Sequence, residues 1–123
     1  MGSVASAPVV LVVEDEPLLR IAAADLFEDA GFDVLEAANA DEAIKLLELR
    51  DDIRLVFTDI QMPGSLDGLK LAACVRDRWP PIEIIVTSGR VDRQDVHLPA
   101  RSVFVPKPYD REEVVAIAQQ MAA

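Results

Sequence analysis

The chain has 123 residues and a formal net charge of −10, from 22 acidic and 12 basic side chains. Its length fits one domain, and a hydrophobic fraction of 51% suffices for a core without metal or disulfide support. The acidic balance argues against nucleic acid as a direct partner, because binding to phosphate backbones needs clustered lysine and arginine. A single cysteine, Cys74, and the lack of a signal-peptide pattern favour a reducing, cytoplasmic compartment, and no apolar run is long enough to span a membrane.

Strand-like and helix-like patterns alternate along the chain. Residues 8–13 form a continuous apolar run, which is typical of a strand buried on both faces. A helix is predicted from Pro17, a residue that suits the first helical turn, to a cap at Gly31. The later predicted strands are residues 33–37, 53–58, 82–87 and 102–105. The later predicted helices begin after Asn39, span residues 68–79 and begin after Asp110, whereas residues 91–101 lack clear periodicity.

Buried strands that alternate with helices predict an α/β fold, because each helix crosses over a parallel sheet and covers one of its faces. Right-handed crossovers leave few arrangements for a chain of this length. The economical arrangement is a five-stranded, doubly wound parallel sheet of order 2-1-3-4-5 with helices on both faces, which is the flavodoxin-like fold. We expect residues 1–7 to form a flexible N-terminal tail and residues 8–123 to form the domain.

The carboxyl ends of the predicted strands carry acids, a hydroxyl and an amine, and folds of this type bring those ends to one edge of the sheet. Glu14 and Asp15 follow the first strand, Asp59 follows the third, Thr87 ends the fourth and Lys107 follows the fifth. Acids so close together repel one another unless a cation lies between them, and Mg²⁺ (or Mn²⁺) suits a set of carboxylate oxygens. A divalent ion, a lysine and a hydroxyl are together suited to hold a phosphoryl group.

Four segments carry these residues: the acidic segment 12–17, segment 58–64 around Asp59, segment 85–89 around Thr87 and the Lys-Pro-Tyr segment 107–109. In combination they resemble the motifs of a known family, the receiver domains of two-component response regulators. The likeness is to single-domain, chemotaxis-regulator-like members and extends over about residues 9–121. It implies a signalling domain rather than an enzyme, with only self-phosphorylation from phosphodonors and slow self-dephosphorylation.

The resemblance implies a phosphoacceptor and a metal site. Asp59 would accept a phosphoryl group from a histidine kinase or a histidine phosphotransfer protein. Asp15, Asp59 and the backbone carbonyl of Gln61 would bind Mg²⁺, and Glu14 would assist them. Addition of a phosphoryl group to a carboxylate gives a labile acyl phosphate with extra charge and acceptor oxygens.

The resemblance also implies a switch. Thr87 and Lys107 would contact phosphoryl oxygens, and the move of Thr87 would let Phe104 rotate inward, so that Thr87 and Phe104 act as the switch residues. The Lys107–Pro108 peptide bond would be cis, a geometry that only a bond before proline makes inexpensive. The output of the switch would be a change in protein–protein interaction.

The chain departs from the usual family pattern in three places. The loop at residues 63–68 is one residue longer than usual, and Glu14 stands where an aspartate is more common. Only 20 positions separate Thr87 from Lys107, fewer than usual, and the usual glycine turn before the fifth strand is absent. We therefore expect the fourth helix, between the fourth and fifth strands, to be short or distorted, or replaced by a mobile loop.

Because no effector sequence follows Ala123, we expect a stand-alone receiver with an unidentified downstream protein target, as a monomer or weak dimer. A receiver taken from a hybrid kinase, or a phosphate sink, fits the same residues. One alternative is a small Mg²⁺-dependent phosphohydrolase with an aspartyl nucleophile. Such enzymes place a second acid two positions after the nucleophile, where this chain has Gln61. A phosphate-independent interaction module is the other alternative, and the complete set of polar residues argues against it.

Overall fold

The computed structural model of the chain describes residues 7–62, 67–89 and 97–123. Three expectations lie outside these ranges: the tail at residues 1–6, the lengthened loop at residues 63–66 and the fourth helix or loop at residues 90–96. Residues 97–101, the rest of the segment expected to form a short helix or a loop, are described and contain no helix.

The described residues form alternating strands and helices, as the sequence pattern predicts. The strands are β1 (Val9–Val13), β2 (Asp33–Ala37), β3 (Ile53–Asp59), β4 (Glu83–Ser88) and β5 (Ser102–Pro106). The helices are α1 (Pro17–Asp29), α2 (Ala40–Leu49), α3 (Gly68–Arg78) and α4 (Arg111–Ala122). In the described part of the chain, none of these helices is long and apolar enough to cross a lipid bilayer.

The strands form one sheet with the order β2-β1-β3-β4-β5, and every neighbouring pair is parallel. The predicted fold class and strand order are therefore confirmed. Parallel strands place all their carboxyl ends at one edge of the sheet, and the register there sets Asp59 beside Thr87. This edge, called the carboxyl edge below, is where the acids, the hydroxyl and the lysine were expected to meet.

Two apolar layers hold the helices on the sheet, because successive side chains of a strand point to opposite faces. Leu11 and Val13 of β1 lie in the layer that also contains Leu71 of α3 and residues of α2. Val10 and Val12 lie in the opposite layer, with residues of α1 and α4. Burial on both faces explains why β1 is apolar at every position. The same burial holds in place the strand that is followed by Glu14 and Asp15.

Three strands extend one residue beyond their predicted ends, to Asp59, Ser88 and Pro106. Backbone hydrogen bonds continue the pairing there: the Ile60 amide donates to the Thr87 carbonyl at 2.9 Å, and the Lys107 amide donates to the Ser88 carbonyl at 2.9 Å. The sequence pattern ended these strands at Thr58, Thr87 and Val105, no more than one residue after the last apolar position. The hydrogen bonds show that the polar residues belong to the rigid sheet rather than to the loops that follow.

At the opposite, amino edge of the sheet, the side chain of Arg76 on α3 holds the chain segments together. Its guanidinium donates to the carbonyl oxygens of Ala100 at 2.6 Å, Ile82 at 2.8 Å and Arg101 at 3.3 Å, and also to that of Pro80. Arg101 has a φ of 59°, a left-handed conformation that favours glycine. The chain thus forms a turn before β5 although the glycine that is usual in the family is absent here.

Candidate functional site

The carboxyl edge brings together the three acids that the sequence placed at strand ends. Glu14, Asp15 and Asp59 each offer a carboxylate oxygen, and these oxygens lie within 4.8 Å of one another. Glu14 and Asp59 are buried, Asp59 with only 7% of its surface exposed, whereas Asp15 is exposed. The sheet fixes Asp59 as the last residue of β3, and the end of β1 supplies the other two carboxylates.

Lys107 lies between two of these carboxylates. Its ammonium nitrogen is 3.1 Å from Asp59 Oδ2 and 3.2 Å from Glu14 Oε1. The adjoining Lys107–Pro108 peptide bond is cis, as the resemblance implies. Among the residues that the structure describes, one cation thus lies opposite three acids, so that these four groups carry an excess of negative charge.

The ionisation of these groups reflects their crowding. Burial raises the pKa of Glu14 above the ordinary value, and the nearby charge of Asp59 raises it further. A hydrogen bond from the Glu16 amide and the charge of Lys107 oppose that shift without cancelling it. For Lys107, burial lowers the pKa, but the hydrogen bond and charge of Asp59, together with Glu14, outweigh burial and raise the pKa overall.

The donor set fits a hard divalent cation. Carboxylate oxygens are the ligands that Mg²⁺ prefers, and this cluster carries more negative charge than Lys107 offsets. The acids also line an open cavity of about 760 Å³, together with Gln61 and Lys107, so that an ion and its waters have room to enter. The residues present are therefore suited to hold Mg²⁺ or Mn²⁺.

Gln61, whose backbone carbonyl was predicted as a metal ligand, lies beside the acids. Its amide donates to Asp59 Oδ1 at 3.3 Å, which keeps the backbone at this position close to the phosphoacceptor candidate. Its side chain accepts a hydrogen bond from the Ser88 hydroxyl at 2.6 Å. This side-chain contact was not predicted, because nothing in the local sequence pairs residues 61 and 88.

Thr87 lies directly beside Asp59 in the sheet and is only 2% exposed. Its Oγ1 atom is buried and has no hydrogen-bond partner among the residues that the structure describes. A buried hydroxyl without a partner is unfavourable, since it has lost its hydrogen bonds to water. Thr87 thus has an unused hydrogen-bonding group next to the acidic cluster.

Phe104, the second predicted switch residue, is not exposed. Only 5% of its surface is accessible, and it lies in the same apolar layer as Val86, its neighbour across the β4–β5 pair. In this structure the ring thus lies inside that layer, whereas the predicted rotation would follow the movement of Thr87 on phosphorylation. Its role as a switch residue stays a prediction.

Gly68 is a residue whose importance the sequence analysis did not identify. A Cβ atom at this first position of α3 would lie 2.0 Å from the backbone oxygen of Asp59 and 2.8 Å from Cα of Ile60. The Gly68 amide also donates to the Ile60 carbonyl at 2.9 Å. Only glycine permits this close approach, so Gly68 helps to set the position of the Asp59 backbone. The one available signal was a glycine directly after Asp67, the N-cap residue.

Comparison with known proteins finds chains of similar sequence and structure. A family model for the response regulator receiver domain matches residues 10–119. The chain is 30% identical over 116 residues to the sensor kinase CckA of Brucella abortus, an alignment that covers 91% of this chain and 12% of the kinase.

Solved structures agree with that match. A response regulator receiver protein from Pseudomonas putida superimposes with a TM-score of 0.83 at 31% identity, covering 95% of this chain and 99% of the other. The response regulator protein TrrA from Thermotoga maritima, in complex with Mg(2+)-BeF, has a TM-score of 0.83 at 28% identity and covers 92% and 97%. By contrast, the chain spans at most 40% of the length of the first four curated relatives that it matches.

Proposed function

This chain belongs to the receiver domains of response regulators, and from that premise we propose that Asp59 accepts a phosphoryl group from a histidine kinase or a histidine phosphotransfer protein. The observation that carries the proposal is the contact at 3.1 Å between the Lys107 ammonium nitrogen and the buried Asp59 carboxylate, at the end of β3. Carboxylate oxygens of two further acids, Glu14 and Asp15, lie within 4.8 Å. A nucleophilic carboxylate beside a fixed cation suits phosphoryl transfer, in which positioning and charge compensation supply most of the catalysis.

In the proposed reaction, a carboxylate oxygen of Asp59 attacks the phosphorus atom of a phosphohistidine. The new P–O bond forms as the P–N bond breaks, and the imidazole leaves with the electron pair of that bond and takes up a proton from solvent. The product on this chain is an acyl phosphate. Lys107, already within 3.1 Å of Oδ2, remains close enough to offset the charge that the phosphoryl oxygens bring.

Glu14, Asp15 and Asp59 would hold the divalent ion, and the Gln61 carbonyl is proposed as a further ligand. When bound, Mg²⁺ offsets negative charge on the acids and on the phosphoryl oxygens. The related response regulator TrrA was crystallised in complex with Mg(2+)-BeF, which supports the same ion for this site. Glu14 has a longer side chain than the aspartate common in the family, and burial together with the charge of Asp59 raises its pKa.

Thr87 is proposed to bind a phosphoryl oxygen. Its buried Oγ1 has no hydrogen-bond partner among the described residues, so a hydrogen bond donated to a phosphoryl oxygen would supply the missing partner. Because Phe104 is already buried beside Val86, we propose that the conformational change starts at Thr87 and passes along the β4–β5 edge to that ring. The output would be altered binding of another protein.

The surface next to the site supports a protein as the phosphodonor. Of the four large hydrophobic side chains that are exposed in the described ranges, three lie on α1: Leu18, Leu19 and Ile21. Leu19 also lines the cavity that contains Asp59. Exposed apolar side chains beside a charged site are typical of a surface that contacts another protein.

The test is to incubate the purified protein with acetyl phosphate and Mg²⁺ and to measure its intact mass. We expect the wild type to gain one phosphoryl group and Asp59→Asn to gain none. Asp51→Asn, which removes an equal charge at an exposed position at the other end of β3, is the matched control and should be labelled like the wild type. A wild type that stays unlabelled, or an Asp59→Asn variant that is labelled equally, contradicts the proposal.

The same experiment separates the proposal from the phosphohydrolase alternative. A receiver retains the group on Asp59 long enough for mass measurement and does not turn over simple phosphate esters. A hydrolase would release inorganic phosphate continuously from sugar or nucleotide phosphates. Gln61 cannot supply the acid that protonates such a leaving group, and this supports the receiver.

A further inference from the structure

The side chain of Arg20, the fourth residue of α1, contacts both the end of β1 and the neighbouring strand β2. Its Nη1 atom donates to the backbone carbonyl oxygen of Glu14 at 3.1 Å, and its Nε atom donates to Glu36 Oε1 at 3.3 Å. Glu36 lies on β2, which is the outermost strand beside β1. One guanidinium therefore connects the loop that follows β1 with a helix and with the edge of the sheet.

The bond to the Glu14 carbonyl restrains the peptide unit that joins Glu14 to Asp15. A peptide unit is planar and contains the Cα atoms of both residues, so a hydrogen bond to its oxygen restricts the rotation of the whole plane. The Glu14 amide belongs to the preceding peptide unit and donates to the Ala37 carbonyl of β2 at 3.1 Å. Glu14 is thus held to β2 on both sides of its Cα atom, directly on one side and through Arg20 and Glu36 on the other.

This restraint acts on two of the three acids in the candidate metal site. The side chains of Glu14 and Asp15 leave the chain at the two ends of the peptide unit that Arg20 holds. Asp59 is fixed by strand pairing within β3, whereas Asp15 follows β1 and is exposed. A carboxylate outside the sheet depends on the loop backbone for its direction. Contacts that orient metal ligands in this indirect way change metal affinity by about 10-fold to 100-fold.

The charge of Arg20 has the opposite effect from its hydrogen bond. A guanidinium near the acids repels a divalent cation, so its removal would strengthen Mg²⁺ binding if charge alone mattered. The ion pair with Glu36 offsets this charge, and solvent around the partly exposed pair screens it further. The planar fork of arginine also holds two acceptors at fixed positions. We therefore expect orientation of the loop to outweigh repulsion of the ion.

We propose that Arg20 is a positioning residue for the divalent cation, which holds the Glu14–Asp15 peptide unit against β2 and thereby directs both carboxylates toward the ion. This inference rests on the proposed function, because it concerns the Mg²⁺ that phosphoryl acceptance would use. Without Arg20, the peptide unit rotates more freely, and the two carboxylates are directed at the ion for less of the time. Arg20 acts through the backbone and does not itself bind the ion.

The test compares Mg²⁺ binding by the wild type, Arg20→Ala and Arg20→Lys. Thermal unfolding is followed at increasing Mg²⁺ concentration, and the gain in stability over the same protein in chelator gives each dissociation constant. We expect Arg20→Ala to bind Mg²⁺ about tenfold more weakly than the wild type. Arg20→Lys retains the charge but has one donor nitrogen in place of the fork, so its dissociation constant should lie between the other two.

A second measurement separates positioning from general damage to the fold. In labelling with acetyl phosphate, the Mg²⁺ concentration for half-maximal rate should rise in Arg20→Ala, while the rate at saturating Mg²⁺ stays close to the wild-type rate. Loss of folded protein would instead lower the rate at every Mg²⁺ concentration. Arg54→Ala is the matched control, because Arg54 lies at the amino-edge end of β3 and also donates to a backbone carbonyl, that of Ala122, at 3.1 Å. Its Mg²⁺ affinity should equal that of the wild type.

The outcomes are distinguishable from one another. An Arg20→Ala dissociation constant that equals the wild-type value, or is lower because repulsion has been removed, overturns the inference, as does equal weakening in Arg54→Ala. If Arg20→Ala does not fold, Arg20→Lys decides, and wild-type affinity in that variant overturns the inference. A wild type that neither binds Mg²⁺ nor is labelled contradicts the proposed function as well. Normal labelling with equal Mg²⁺ affinity in all the proteins contradicts the inference alone.

Discussion

The two edges of the sheet differ in how their polar groups are satisfied. At the amino edge, one side chain, Arg76, donates to four carbonyl oxygens and connects α3 with the turns before β4 and β5. At the carboxyl edge, three acids face one lysine, and the Thr87 hydroxyl has no partner among the described residues. The first arrangement uses its polar groups to stabilise the fold. The second keeps polar groups available for a ligand.

Stability and function therefore depend on opposite edges of the sheet. Unfavourable contacts at the carboxyl edge, such as Glu14 beside Asp59, are tolerated because the apolar layers and the amino edge stabilise the domain. Substitutions at the amino edge should thus change stability without changing phosphoryl acceptance. Substitutions at the carboxyl edge should change acceptance, with effects on stability of either sign.

The largest effect is expected for Gly68→Ala, at the carboxyl edge. The added methyl would approach the Asp59 carbonyl to 2.0 Å, so the backbone must move. We expect the free energy of unfolding to fall by about 3 kcal/mol and labelling by acetyl phosphate to slow strongly, as followed by urea denaturation and intact mass.

Gly89→Ala is the matched control for that substitution, because the one described atom that a Cβ there would contact is Cβ of Lys107, at an ordinary 3.7 Å. Its unfolding free energy should stay within about 0.5 kcal/mol of the wild type. A Gly68→Ala protein that is as stable as the wild type and is labelled at the same rate would show that the close approach is unimportant.

A smaller effect is expected for Arg76→Ala, at the amino edge. Loss of its charge-assisted bonds should lower the unfolding free energy by about 2 kcal/mol, because carbonyls such as those of Ile82 and Arg101 lose a donor. The extent of labelling at a temperature where the variant is folded should equal that of the wild type. Reduced labelling under those conditions would show that the two edges are coupled.

The smallest effect is expected for Glu14→Gln, and its sign is opposite. Burial and Asp59 raise the pKa of Glu14, so the folded state favours the protonated carboxyl and loses stability as the pH rises past the ordinary glutamate value. In the presence of a chelator at pH 7, the variant should be more stable than the wild type, by less than the loss expected for Arg76→Ala. That difference should shrink as the pH is lowered toward the ordinary pKa.

Addition of Mg²⁺ provides the control for the Glu14→Gln comparison. A ligand that binds the folded state stabilises it, so the wild type should gain more stability than the variant, which has lost one carboxylate. Thermal unfolding with and without Mg²⁺ measures both differences. If the variant is less stable than the wild type in chelator, the prediction is wrong. The ion pair with Lys107 would then stabilise the Glu14 carboxylate by more than burial and the charge of Asp59 destabilise that carboxylate.

The sequence was sufficient to predict the sheet order and the composition of the carboxyl edge. The apolar runs of β1 and β3 indicated strands that are buried on both faces. Because parallel strands end at the same edge of the sheet, the acids that follow these runs lie close together. The predicted strands nevertheless ended one residue early, at Thr58 and Thr87. Apolar patterning cannot detect a polar residue that stays in the sheet because its backbone is paired.

Periodicity and strand-end chemistry thus determined the fold class, the family resemblance and which residues share an edge, since these depend on properties read along the chain. Tertiary structure alone decided that Gly68 abuts the Asp59 backbone, that Ser88 holds Gln61 and that Phe104 already lies inside the apolar layer. Each of these facts is a contact between different strands, helices or loops of the fold. Such contacts depend on strand register, helix placement and side-chain direction, which no local pattern encodes.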